Sequence, residues 1–142
     1  MKISANVQNS QGKHEVTLQT NDNLHSITIP AKSTGLGSSA NGGELLFLAL
    51  ATCYCNDIYR EAAKRSITIT GVEVTVEGDF GKEGEPASNI AYNAKVEADA
   101  SESEIIELLK YTDTVAEIQN TLRNATAVTL SHIEAISTKL GA

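Results

Sequence analysis

From Leu45 to Cys55 the chain is apolar at almost every position, and no polar face can be drawn through the segment. A helix of that kind is buried on every side or lies in a membrane. The run is about eleven residues, well short of the ~20 that span a bilayer, so the pattern predicts a buried central helix. Asn41 and Glu44 stand three residues apart just before the run, the spacing of a capping box. A carboxylate in the first turn also suits the positive end of the helix dipole, which makes a cap the simplest role for Glu44. Asn56 to Arg65 turns charged, as expected where a core helix emerges into water.

Around this helix the period changes from helical to two. Residues 2–8 and 13–20 are strand-like and joined by the turn-forming Asn9-Ser10-Gln11-Gly12, and Leu24 to Ile29 adds a third strand stopped by Pro30. Ala31 to Gly43 is a Gly/Ser-rich loop without the spacing of a nucleotide-binding motif. Beyond the helix, Val72, Val74 and Val76 alternate with Glu73, Thr75 and Glu77, and Ile90 to Ala98 alternates similarly. That is a hairpin with one wet face, its strands linked by the exposed loop Gly78 to Asn89. Ser101 and Glu104 form a second capping box, opening a helix striped by Ile105, Ile106, Leu108 and Leu109. Asp113 or Thr114 is expected to cap a short helix through Leu122, and a last strand is expected near Ala127 to Leu130, extended by the tail to Ala142. The order is βββ-α-ββ-αα-β, an α+β fold in a single domain over residues 1–142. One six-stranded sheet covers only one side of a helix that needs cover on both, so the pattern calls for an intimate homodimer.

Composition narrows the function. A net charge of −7 argues against nucleic acid and anionic membranes as partners. The N-terminal residues lack the apolar core of a signal peptide, which places the protein in the cytoplasm, where its two cysteines are thiols before they are a staple. His14, His25 and His132 are scattered without ligand spacing, so neither a metal nor another cofactor is implied. Arg123 reads as a solvated charge near a helix end, and Tyr54, Tyr59 and Tyr111 as core or interface aromatics.

The segment NGGELLFLALATCYCNDIYREAAKRSITITGVEVTVEGDF, together with NTLRNATAVTL near the C-terminus, resembles the OsmC/Ohr family, and the order of elements agrees over essentially the whole chain. The resemblance implies an OsmC-like fold assembled as an intertwined homodimer, with two sheets wrapped around a pair of central helices. It also implies thiol peroxidase chemistry, in which one cysteine attacks a hydroperoxide and a second resolves the sulfenic acid, assisted by an Arg and a Glu. Cys53 matches the reactive cysteine. Ala116 stands where the resolving cysteine would be, Gly43 stands in the place of the glutamate, and no Arg precedes Arg60. An external thiol would then have to resolve Cys53.

Local chemistry leaves the role of the thiol open. Cys53 and Cys55 are turned about 200° from each other on a helix, so Cys55 cannot bridge to Cys53 without unwinding it. Asp57 at i+4 opposes thiolate formation, and Arg60 at i+7 favours it from ~10.5 Å along the axis. Two small core cysteines and a reactive Cys53 are equally compatible with that balance. The candidate site residues are Cys53, with Glu44 and Arg60 as its acidic and basic companions on the same helix. Two functions follow: a thiol-redox protein acting on hydroperoxides through Cys53, or a non-catalytic dimeric module holding an apolar small molecule between subunits.

Overall fold

The computed structural model describes residues 1–139. Strands β1 (Ile3–Ser10), β2 (Lys13–Thr20) and β3 (Asn23–Ile27) form an antiparallel meander in which Val7 faces Val16 and Val16 faces Ile27. Helix α1 (Gly42–Lys64) follows, then the hairpin β4 (Thr68–Asp79) and β5 (Ser88–Asp99), and then helices α2 (Glu102–Val115) and α3 (Glu117–Arg123). Both expected capping boxes are formed, with Glu44 N–H donating to Asn41 Oδ1 at 2.8 Å and Asn41 N–H to Glu44 Oε1 at 2.9 Å.

The hairpin has the expected phase. Val72 pairs with Val96, Val74 with Ala94 and Val76 with Tyr92, all turned toward the helix while Glu73, Thr75 and Glu77 face water. Leu50, Tyr54, Ile58 and Ala62, four residues apart, form the face of α1 that packs on this hairpin and on α2, with Ile58 and Leu108 fully buried. Tyr54 crosses Tyr92 edge-on at 4.7 Å, and its hydroxyl donates to the Leu109 carbonyl at 2.7 Å, satisfying the one polar atom the ring brings inside. At the open end of the hairpin, Phe47 lies over Gly78, where a Cβ would come within 2.7 Å of the ring, and Phe80 lies over Gly43.

Four expectations are corrected. The strands do not form one six-stranded sheet: the meander and the hairpin are separate sheets of three and two strands among the described residues. Within the single chain Leu50 of α1 is 2 % exposed and Leu48 57 %, the bare side being the one for which a second copy was expected. A lone chain has one packing surface for it, the hairpin with α2 and α3. No strand forms at Ala127 to Leu130: residues 126–138 have no regular secondary structure, and Val128 and Leu130 are 98 % and 80 % exposed. The segment pairs with no strand of the described chain, although the outer edges of both sheets are free; the expected extension over residues 140–142 lies outside the described residues. Neither Asp113 nor Thr114 caps α3, because α2 runs through Val115 and Ala116 is the cap, without a side-chain hydrogen bond. Asp113 instead accepts from the Tyr92 hydroxyl and pairs with Arg123 at 2.7 Å, so Arg123 is an ion-pair partner rather than a free charge.

Candidate functional site: a thiol between two carboxylates and an apolar cavity

Cys53 lies midway along α1, one helical step from the packed face, and is half-buried. Its sulfur is 3.5 Å from Asp57 Oδ2, one turn along the same helix, and 3.8 Å from Glu117 Oε2 at the start of α3. A single S–H serves one of these acceptors at a time. Asp57 is 5 % exposed. Arg60 closes the far side of the cluster, with Nη1 3.0 Å from both Asp57 Oδ1 and Glu117 Oε1 and Nε 2.9 Å from Glu61 Oε1. Glu61 in turn, 2 % exposed, takes Lys64 at 3.0 Å, so the charged end of α1 is anchored on one buried carboxylate.

The electrostatic result follows from the order of these groups. Burial pushes the Cys53 thiol above its ordinary value, and the negative charges of Asp57 and Glu117 push it further, only partly offset by the Ile118 backbone N–H. Burial also raises Asp57, an effect deepened by Glu117, whereas Glu117 is held low by its own backbone N–H and by Arg60. The guanidinium meets the carboxylates and not the sulfur. Its charge is spent on holding Asp57 and Glu117 together, and the thiol keeps its proton at neutral pH.

Of the three residues singled out from the sequence, two share this site. Arg60 is in the cluster with Cys53, one carboxylate removed. Glu44 is nine residues before Cys53, about 13 Å along the axis, and both its backbone and carboxylate are engaged in the helix cap. Gly43, where the resemblance implies a glutamate, is roofed by Phe80, whose ring would come within 2.8 Å of a Cβ there. Cys55 is unpaired and half-buried. The residue missed was Glu117, sixty-four positions away in the sequence. The signal that could have found it was Ala116 beside it, fully buried at the α2–α3 junction, where the resemblance implies a partner for Cys53.

Cys53, Asp57 and Glu117 also bring three potential ligand atoms within 4.8 Å of one another. Both carboxylates are already ion-paired to Arg60, so a divalent cation would have to displace the guanidinium. Opposite the cluster, Cys53 forms part of the wall of an apolar cavity of about 730 Å³. Leu45 and Leu48 of α1 line one side and Val7, Val16 and Ile27 of the meander the other. Among the described residues no helix is long and apolar enough to cross a membrane.

Solved structures share this architecture. An OsmC-like protein from Mycoplasma pneumoniae superposes with a TM-score of 0.59 at 19% identity, over 84% of this chain and 87% of that one. An OsmC-like hydroperoxide resistance protein from Jannaschia gives 0.52 at 13%, over 96% and 93%, and an organic hydroperoxide resistance protein from Elizabethkingia anophelis gives 0.51 at 16%, over 87% and 89%. A search of curated proteins returned no match. At these identities the superpositions speak for the fold alone. The sequence itself matches the family described as OsmC-like protein over residues 35–131, from the loop before α1 to the segment after α3, and the chain belongs to that family.

Proposed function

We propose that the protein is a cytoplasmic, homodimeric thiol-redox protein that reduces organic hydroperoxides through Cys53, with an external thiol as resolver. The observation that carries this reading is the position of the Cys53 sulfur, with a proton acceptor on one side and an apolar cavity on the other. Two of the solved structures that share the fold belong to hydroperoxide resistance proteins, which supports it at the level of the family.

The chemistry balances with the groups present. The Cys53 proton passes to the Asp57–Glu117 pair as the sulfur attacks the distal oxygen of the hydroperoxide. The O–O bond breaks, the leaving alkoxide takes the proton back as an alcohol, and Cys53 becomes a sulfenic acid. A small thiol then displaces water to give a mixed disulfide, and a second thiol releases Cys53 and leaves as half of a disulfide. Overall, one hydroperoxide and two thiols give an alcohol, water and a disulfide. Ala116 supplies no sulfur, so the sulfenic acid waits for the external thiol.

The dimer rests on surface that a lone chain leaves bare: Leu48 on α1, and Val128, Leu130, Ile133 and Ile136 in the C-terminal segment, each more than half exposed. Sedimentation should find a dimer whose dissociation is coupled to unfolding; a stable folded monomer at low micromolar concentration would remove this part. For the chemistry, stoichiometric cumene hydroperoxide followed by mass spectrometry should place one oxygen on Cys53, reversible by added thiol, kept in Cys55→Ser and lost in Cys53→Ser. The proton-retaining thiol and the cavity favour a second reading, a non-catalytic module that holds an apolar ligand. That reading prevails when Cys53 resists both peroxide and alkylation until the protein is unfolded.

A further inference from the structure

Helix α3 brings two groups to the Cys53 sulfur, the Glu117 carboxylate and the Ile118 backbone N–H, both from its first turn. A helix of seven residues does not hold itself in place, and its cap at Ala116 makes no side-chain hydrogen bond. Its last turn is tied to α2: Asn120 Nδ2 donates to the Thr114 carbonyl at 3.0 Å, and Arg123 Nη1 to the Asp113 carbonyl at 3.0 Å. The first turn needs a tie to α1, where the sulfur is. Apart from what Glu117 and Ile118 themselves make at the site, one hydrogen bond joins the two helices among the described residues. Gln119 Nε2 donates to the Leu50 carbonyl at 3.0 Å, and Gln119 is 3 % exposed. Leu50 precedes Cys53 by three residues, ~4.5 Å along the axis, so the tie lies within one turn of the sulfur.

The orientation of that amide is fixed by its partner. A carbonyl only accepts, so Nε2 must face Leu50, and Oε1 is turned away, buried and without a partner among the described residues. A buried acceptor left unsatisfied works against folding, and a methionine or leucine would fill the same space without it. What the amide adds is the tie between the two helices. We infer that Gln119 is a positioning residue for the thiol: its bond to the Leu50 carbonyl seats the first turn of α3 on α1, and so sets the Glu117 carboxylate and the Ile118 N–H against the Cys53 sulfur. Gln119 donates to Leu50 and not to the sulfur, so it acts through those two groups. The inference deepens the thiol reading and rests on it for the use made of the site, but the seating itself needs no reaction at sulfur.

The test is a double-mutant cycle read at the sulfur, in the full chain with Cys55→Ser so that one cysteine remains. The Cys53 thiol is titrated by NMR of its 13C-labelled Cβ, which reports the proton whether or not the thiol reacts. Glu117→Gln removes a negative charge beside the sulfur, so at a fixed pH below the midpoint the thiolate fraction should rise by at least about twofold. Gln119→Met keeps the length of the side chain but cannot donate. In that background the same Glu117→Gln change should move the thiolate fraction by less than about 1.2-fold, because the carboxylate has already left the sulfur. A general loosening of the fold would leave no such dependence of one substitution on the other. Equal shifts in the two backgrounds overturn the inference, as does a parent in which Glu117→Gln shifts nothing. Circular dichroism checks folding. Should Gln119→Met not fold, Gln119→Leu replaces it, and failure of both overturns the inference, since the amide would then hold the whole fold rather than the site. Reaction with cumene hydroperoxide is scored separately in the unsubstituted chain. Coupling with an inert thiol sinks the proposed reaction and leaves the positioning role standing, whereas a reactive thiol with equal shifts sinks the positioning role alone.

Discussion

On one side of α1 the hairpin β4–β5 and helix α2 press directly onto Leu50, Tyr54, Ile58 and Ala62; on the other the meander β1–β3 stands off and leaves a cavity with Cys53 in its wall. Both sheets turn a row of β-branched and aliphatic side chains toward the same helix, so hydrophobicity does not separate them. Contact does. The hairpin joins α1 through a short turn after Lys64 and packs along its length, while the meander is tied on by the long loop before Gly42 and by polar bonds such as Gly37 to Asn9. The packed side holds the fold, and the open side leaves room for chemistry.

The comparison can be broken most directly by truncation. Ile58→Ala removes a fully buried side chain from the packed side and should cost about 2–5 kcal/mol in chemical denaturation. Leu48→Ala, on the open side, should cost less and act through the dimer, so that its effect shrinks as protein concentration rises. Equal effects on folding would mean the two sides of the helix are not different in kind. A charge probes the same boundary less severely: Val74→Asp, on the half-buried inward face of β4, should lower stability by about 2–3 kcal/mol, and Glu73→Ala, on the wet face, by under about 0.5. Melts that rank these the other way would place the strand one residue out of phase.

On the open side the expected effects are on reactivity. Burial holds the thiol up most, and Asp57→Asn removes a charge that pushes it up further, so alkylation of Cys53 at neutral pH should quicken. The peroxide step should gain less, since the variant also loses a proton acceptor; an alkylation rate unchanged or lowered would show that Asp57 does not act on the sulfur. The smallest effect is on stability at high pH. The folded-state thiol titrates above its ordinary 9.0, so the folded protein holds this proton where the unfolded chain releases it. The stabilisation is complete below pH 9.0 and is lost as pH rises from there through the folded value. Cys53→Ser should therefore flatten the fall in melting temperature above that point, and parallel curves would count against the raised thiol.

What could be read in advance was whatever depends on near neighbours in sequence. Asn41 with Glu44, Ser101 with Glu104, and the alternation of Val72, Val74 and Val76 are local patterns with local causes, and each took the expected form. The misjudged elements depend on partners far along the chain or outside it. Ala127 to Leu130 has a strand's composition but pairs with no strand of the described chain. Asp113 looked like a cap because its tie to Tyr92 and Arg123 is invisible to spacing rules. At the site, Cys53 and Arg60 stand on one helix and could be named, whereas Glu117 arrives from α3.

The C-terminal segment carries a consequence for the lifetime of the protein. Residues 126–138 have no regular secondary structure, and Val128, Leu130, Ile133 and Ile136 stand bare along them. Proteases engage such chain most readily, since nothing need unfold before cleavage. On the dimer reading, a protomer without its mate displays a degradation handle that a mated one withdraws. Abundance would then follow assembly without a dedicated sensor, orphan subunits being cleared fastest when expression outruns pairing.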